Sequence, residues 1–167
     1  MWAEAAVDRD PDDRPGGAEF GHIATAHQRE LKAEVLQDAL RRFGRIERAT
    51  PVEPLSGAAD GTRWRTRVRL HVAADGTVGP YAARSHRVVP VASLPLAVHE
   101  VEAIAPRDGF AGADTVDVLA PSEGEARLIV GRQAPSTIRE RVGDREFRLD
   151  DGGFWQVHRA APEALSA

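Results

Sequence analysis

Turn-forming sequences recur through this 167-residue chain from residue 60 onward: Asp60-Gly61, Asp75-Gly76, Pro121-Ser-Glu-Gly124 and Gly143-Asp144. Several of the runs that flank them alternate apolar and polar residues, so the chain is expected to fold back on itself in hairpins. Residues 62–72 form the first predicted strand. Its alternation puts Arg63, Arg65, Arg67 and Arg69 on one face and Trp64, Thr66, Val68 and Leu70 on the other. Residues 77–83 are its predicted return strand, and 87–91 would extend the sheet. Residues 116–119 with 126–130, and 137–142 with 145–149, make two further hairpins, and 154–158 a last short strand.

Two helices are expected. The first spans 25–43, with Thr25 as N-cap, Gln28 completing a capping box, and Gly44 as the stop. Leu31, Val35, Leu36, Ala39, Leu40 and Phe43 form an apolar stripe at helical spacing, which reads as core packing. The second spans 94–105 and starts near Pro95. Residues 160–166 read as the first turn of another helix. The fold class is therefore α+β: a twisted, mostly antiparallel sheet of hairpins with two main helices on one side. Residues 1–20 read as a loop rich in turn formers, where Trp2 would pack on something.

Charge is unevenly placed. Residues 1–20 carry Glu4, Asp8, Asp10, Asp12, Asp13 and Glu19 against Arg9 and Arg14, whereas residues 61–95 carry Arg63, Arg65, Arg67, Arg69, Arg84 and Arg87 against Asp75. A basic centre in a chain of net charge −4 points to one face for a polyanion. There is no cysteine, which excludes disulfides, thiolate metal sites and cysteine nucleophiles within these residues. His22 and His27, five residues apart, do not share a helix face, and no metal-ligand spacing accompanies them. No apolar run approaches membrane-spanning length, and the N-terminus has no secretory signal pattern, so a soluble cytoplasmic protein is the default expectation.

The arginine strand has two readings. Guanidinium groups at every second residue would lie roughly 6.5–7 Å apart, near the phosphate repeat of an extended single strand. Alternatively, the arginines form a solvated face paired with acids on neighbouring strands. Phe154 and Trp155 are adjacent in a predicted strand, so one of the two faces inward as ordinary sheet packing.

Read in order, several segments resemble the RNA (uracil-5-)-methyltransferase family. Pro15-Gly-Gly-Ala18, His22 and Gln28-Arg-Glu-Leu-Lys32 resemble its Cys-Gly-Gly-Cys, His and Gln-x-x-x-Lys elements. Gly61-Thr-Arg-Trp-Arg-Thr-Arg67 resembles its Gly-Tyr-Arg-x-Arg/Lys-x-Arg strand, and Gly79-x-Tyr81 through Ser85-His86-Arg-Val-Val89 its Gly-Phe … Ser-His-x-Ile/Val-Val hairpin. Leu94-Pro95-Leu96 stands at its Cys-Pro-Ile/Leu, and Phe154-Trp-Gln156-Val-His158 resembles its Phe-x-Gln-x-Asn signature.

The resemblance implies methyl transfer from S-adenosylmethionine to uracil C5 in ribosomal or transfer RNA. It implies a division into a loop matching a degenerate iron–sulfur segment (1–20), a helical arm (21–49), a central RNA-facing domain (59–153) and the start of the methyltransferase domain (154–167). The cofactor domain, with the cysteine that attacks uracil C6, would lie outside this chain, which therefore holds no catalytic residue and binds no S-adenosylmethionine. Arg63, Arg65, Arg67, Arg84, His86, Phe154 and Gln156 are the implied RNA- or base-binding residues. Positions matching the family's [4Fe–4S] cysteines are Arg9, Pro15, Ala18 and Leu94, which implies a cluster-free branch. His158 departs from the family's asparagine and Thr62 from its tyrosine. A central domain by itself would also leave the stripe of the 25–43 helix in need of cover, favouring dimerisation or a displaced helix. The rival expectation is a stand-alone, non-catalytic RNA-binding or structural module.

Overall fold

A computed structural model describes residues 3–57 and 60–167; Trp2 lies outside the described residues. The architecture is α+β. The long helix α1 (Thr25–Ala39) continues into a π turn (Leu40–Gly44). It is followed by β1 (Arg67–Val72), β2 (Val78–Gly79), α2 (His99–Ile104), β3 (Thr115–Leu119), β4 (Arg127–Val130), β5 (Thr137–Val142), β6 (Arg145–Asp150) and the short α3 (Ala161–Ala164). The strands form a four-stranded antiparallel sheet, ordered β2-β1-β3-β4, and a separate β5–β6 hairpin. No helix among the described residues is long and apolar enough to cross a membrane.

The main core follows from period-two alternation. Leu70 sits opposite Val116 and Val68 opposite Val118, and Leu70, Val116 and Val118 are fully buried. Val98 and Val101, at and just after the start of α2, join them together with Val78 and Val89. Each such side chain contributes about 1.5–3 kcal/mol on burial.

Several sequence expectations are corrected. The first strand begins at Arg67, not 62. Arg63 takes a left-handed φ of 57°, and residues 63–66 bond elsewhere. The Arg63, Trp64 and Arg65 amides donate to the Pro95 and Leu96 carbonyls at 2.8–3.0 Å. That pairing also shortens the second helix, because residues 94–98 are held extended or in a turn against 63–65 and helix starts only at His99.

Residues 87–91 do not join the sheet. They fold back on the loop before them, with Val89 N–H donating to the Pro80 carbonyl at 2.9 Å and Tyr81 bridging Val88. Gly79 makes this possible, since a Cβ there would lie 2.1 Å from the Val89 carbonyl oxygen. Residues 154–158 are not a strand and meet residues 65–66 through a bridge between His158 and Arg65 and through the Val157 carbonyl.

Helix α1 also differs in its ends and its face. Ala24 is the N-cap and has no side-chain cap. The Thr25 hydroxyl donates instead to the Asp60 carbonyl at 3.2 Å, and the Gln28 amide to the Phe20 and Ile23 carbonyls. The left-handed stop is Arg45, not Gly44. No α1 residue is buried; Val35 and Phe43 are 71% and 89% exposed, so the stripe is not core packing within this chain.

The loop 3–20 packs down through Ala5 and Ala18, each 1% exposed, and through a bridge from Pro15 to Ala82. The Arg14 guanidinium gathers it by donating to the Val7 and Arg9 carbonyls. The Glu4 carboxylate accepts from the Ala92 amide at 2.8 Å.

Candidate nucleic-acid interface

Two staples hold residues 151–159 across residues 64–67. At one end, Arg67 Nη1 donates to the Asp151 carbonyl at 3.1 Å and the Gly153 carbonyl at 2.9 Å. At the other, the Thr66 amide and hydroxyl both donate to the Val157 carbonyl, and the Arg159 amide donates to the Trp64 carbonyl at 2.9 Å. Gly153 turns the chain between them. Its amide donates to the Asp150 carbonyl, and a Cβ would come within 2.9 Å of that oxygen.

Residues 154–156 therefore bow outward as a short ledge. Phe154 is 84% exposed at its lip. Trp155 turns back against Phe147, with ring centroids 5.4 Å apart, so the packing role falls to Trp155. Gln156 is half-buried beside them.

Just past the ledge in sequence, His158 stacks on Trp64 at 5.3 Å with planes 14° apart. The Arg65 guanidinium lies 5.2 Å from the Trp64 ring centroid. Its Nε is buried without a partner. Burial lowers the Arg65 pKa, and no carboxylate among the described residues offsets that effect. Arg65 also lines a cavity of about 260 Å³ with Tyr81, Leu94 and Leu96. Burial holds His158 below its ordinary pKa as well, and its Nδ1 accepts from the Ala160 amide, so the proton of the neutral ring sits on Nε2.

The other arginines are placed differently. Arg63 donates to the Ala97 carbonyl at 3.2 Å and lies 3.9 Å from the Glu102 carboxylate. The Arg67 guanidinium faces inward. Arg69 makes a bidentate pair with Asp117, its cross-strand partner, at 2.7 and 2.8 Å, and that bond raises its pKa. The even line of guanidinium groups along one strand face is thus not formed, because β1 starts only at Arg67 and an acid stands opposite Arg69.

Arg84 and His86 sit apart on the exposed tip of the 80–89 loop, where Arg84 has a φ of 57°. His86 meets Tyr81 edge-on at 5.3 Å, and Tyr81 stacks on His71 at 3.4 Å. Tyr81 also lines the cavity that Arg65 lines. The structure thus sets Arg67 against the carbonyls at 151 and 153 that precede Phe154 and Gln156, joins Arg65 to the end of the same segment through His158, and leaves Arg84 and His86 at a second location.

Sequence reasoning missed the Trp64–His158 stack and the buried acids Glu140 and Asp151. The pairing of Trp64 with His158 needs the long-range bridge between Arg65 and His158, for which no local pattern exists. Of the positions matching the family's cluster cysteines, Pro15, Ala18 and Leu94 are apolar and buried, and the Arg9 backbone carbonyl accepts from Arg14. These residues offer no ligand set for an iron–sulfur group.

No protein-family model matches the chain. It is 29% identical to an uncharacterized RNA methyltransferase of Streptomyces avermitilis over 91% of this chain and 45% of that protein. It is 30% identical to another of Bifidobacterium longum over 90% and 40% of the two chains. It is 28% identical to the 23S rRNA (uracil(1939)-C(5))-methyltransferase RlmD of Verminephrobacter eiseniae over 90% of this chain and 33% of the enzyme. The chain is a distant, partial-length homologue of RNA methyltransferases. It spans less than half the length of these relatives.

Proposed function

We propose that this chain supplies the substrate-RNA-recognising region of an S-adenosylmethionine-dependent RNA uracil-C5 methyltransferase. The observation that carries the reading is the stapled ledge, which presents an outward aromatic, Phe154, from a segment that bridges to Arg65 through His158. A uridine must leave its stack to expose C6. Phe154 offers its base a stacking face and Gln156 a hydrogen-bonding partner. Arg65, with Arg63 beside it, meets the phosphates, while Arg84 and His86 engage the strand further along. The cysteine nucleophile belongs to another region of such an enzyme, since these residues contain no cysteine, and the resemblance implies the same for the methyl donor. The RNA is ribosomal or transfer RNA, as the resemblance implies.

The absence of cysteine also suits a second reading, a non-catalytic RNA-binding module. Binding to a uridine-bearing RNA hairpin across a salt series tests what both share. Arg65→Ala and Arg63→Ala should weaken binding and reduce the salt slope by about one each. Unchanged affinity and slope in both variants would remove the nucleic-acid role from this surface. Methyl transfer to the same hairpin when the chain is supplied with the remainder of a homologous enzyme separates the two readings: turnover supports the enzyme, and tight binding without turnover supports the module.

A further inference from the structure

We propose that Arg67 is a positioning residue, which fixes the Phe154 ledge and couples it to the β5–β6 hairpin through Glu140, and that it does not contact RNA. This rests on the RNA-recognition reading above. The Arg67 side chain is 14% exposed, so its charge is turned away from solvent and from any polyanion at the surface. Nη1 holds two consecutive corners of the bend, the Asp151 and Gly153 carbonyls. Nη2 lies 3.6 Å from Oε1 of Glu140, whose side chain is 5% exposed.

Glu140 belongs to β5, in the separate hairpin, and its other oxygen accepts from the Ser122 amide at 2.9 Å. Asp151 completes the frame. Its carboxylate accepts from the Gly152 and Ser136 amides, and its own amide donates to the Ser136 carbonyl, which ties the bend to the residue just before β5. One guanidinium therefore joins β1, the ledge and the hairpin. Nη1 meets both carbonyls while Nη2 lies against the carboxylate, a spread over two nitrogens that a single lysine ammonium does not have. Removing Arg67 leaves a buried carboxylate without its cation and two carbonyls without their donor.

A phosphate contact and a positioning role predict different behaviour in four variants. In the free protein, Arg67→Ala and Glu140→Gln should both speed amide hydrogen exchange over residues 152–157 while the β1–β3 amides stay protected. In RNA-hairpin binding across a salt series, both should lower affinity, by about tenfold for the loss of buried charge-assisted bonds, while the wild-type salt slope is kept. Arg67→Lys should not restore affinity, and Arg148→Ala, an exposed arginine on β6, serves as the surface control. The proposal is overturned if Arg67→Ala lowers the slope by about one, if Arg67→Lys binds like wild type, or if Glu140→Gln binds RNA at least as well as wild type. Should the wild-type chain bind no RNA, the recognition reading fails, and the exchange arm still decides this one: faster exchange over 152–157 in both variants supports it, and unchanged exchange overturns it.

Discussion

β3 pairs with residues 67–71 and the 151–159 segment is held against residues 64–67, but different forces hold the two in place. β1 and β3 are joined by a regular ladder, with Leu70, Val116 and Val118 fully buried between sheet and α2. The 151–159 segment has no ladder. A glycine bend, one guanidinium, one threonine and the Arg159 amide hold it, and of its two adjacent aromatics Phe154 points into solvent. Apolar burial makes the first region insensitive to which polar residues surround it. Directional bonds make the second dependent on a few particular side chains, and they leave an aromatic free to meet a ligand.

This contrast can be broken most directly by exchanging the two kinds of damage. Leu70→Ala removes a fully buried side chain and should destabilise the fold by about 2–5 kcal/mol in chemical denaturation. Phe154→Ala should leave stability within about 0.5 kcal/mol, as expected for a side chain that packs on little. Comparable losses in the two variants would mean that the ledge belongs to the core.

Acid offers a second way to separate the regions. Burial depresses the pKa of both His71 and His158 below 6.5, so the folded state binds fewer protons than the unfolded chain. Above pH 6.5 both states are neutral at these sites and nothing changes. As pH falls below 6.5, the unfolded state gains protons first, and stability drops until the folded-state values are passed. Melting at pH 5.5 should therefore come at a lower temperature than at pH 7.5, and His158→Phe should remove part of the difference while keeping an aromatic against Trp64. A pH-independent melting temperature would contradict the burial of these rings.

The smallest effect concerns the arginine that an acid neutralises. Arg69 and Asp117 form an exposed cross-strand pair, so a double-mutant cycle to alanine should give a coupling of about 0.2–1 kcal/mol, falling as salt rises. Arg69→Ala should leave RNA affinity nearly unchanged compared with Arg65→Ala. Equal losses would return Arg69 to the binding surface.

The fold was legible where local pattern decides structure. Alternation at 116–119 and 137–142, and the turns at Asp75-Gly76 and Gly143-Asp144, correspond to the observed β3, β5 and hairpins. It was misread where a distant partner decides. Residues 62–66 alternate like a strand, yet they bond to 94–98 and 157–159, which shortens the first strand and the second helix together. At the ledge, Gly153-Phe154-Trp155-Gln156 could be singled out from a resemblance to a motif. Which of Phe154 and Trp155 faces outward could not, because Phe147 on β6 decides it. Nor could spacing show that four arginines at every second position take four different roles, since those depend on Trp64, Asp151, Asp117 and Glu102 lying nearby in space.

The measurement closest to the central claim is the affinity of Phe154→Ala for a uridine-bearing RNA hairpin, taken with its melting temperature. If the ledge presents an aromatic to an unstacked base, affinity should fall by roughly tenfold, within the range of base–aromatic stacking, while the melting temperature stays at the wild-type value. Wild-type affinity in a fully folded Phe154→Ala protein would contradict the account.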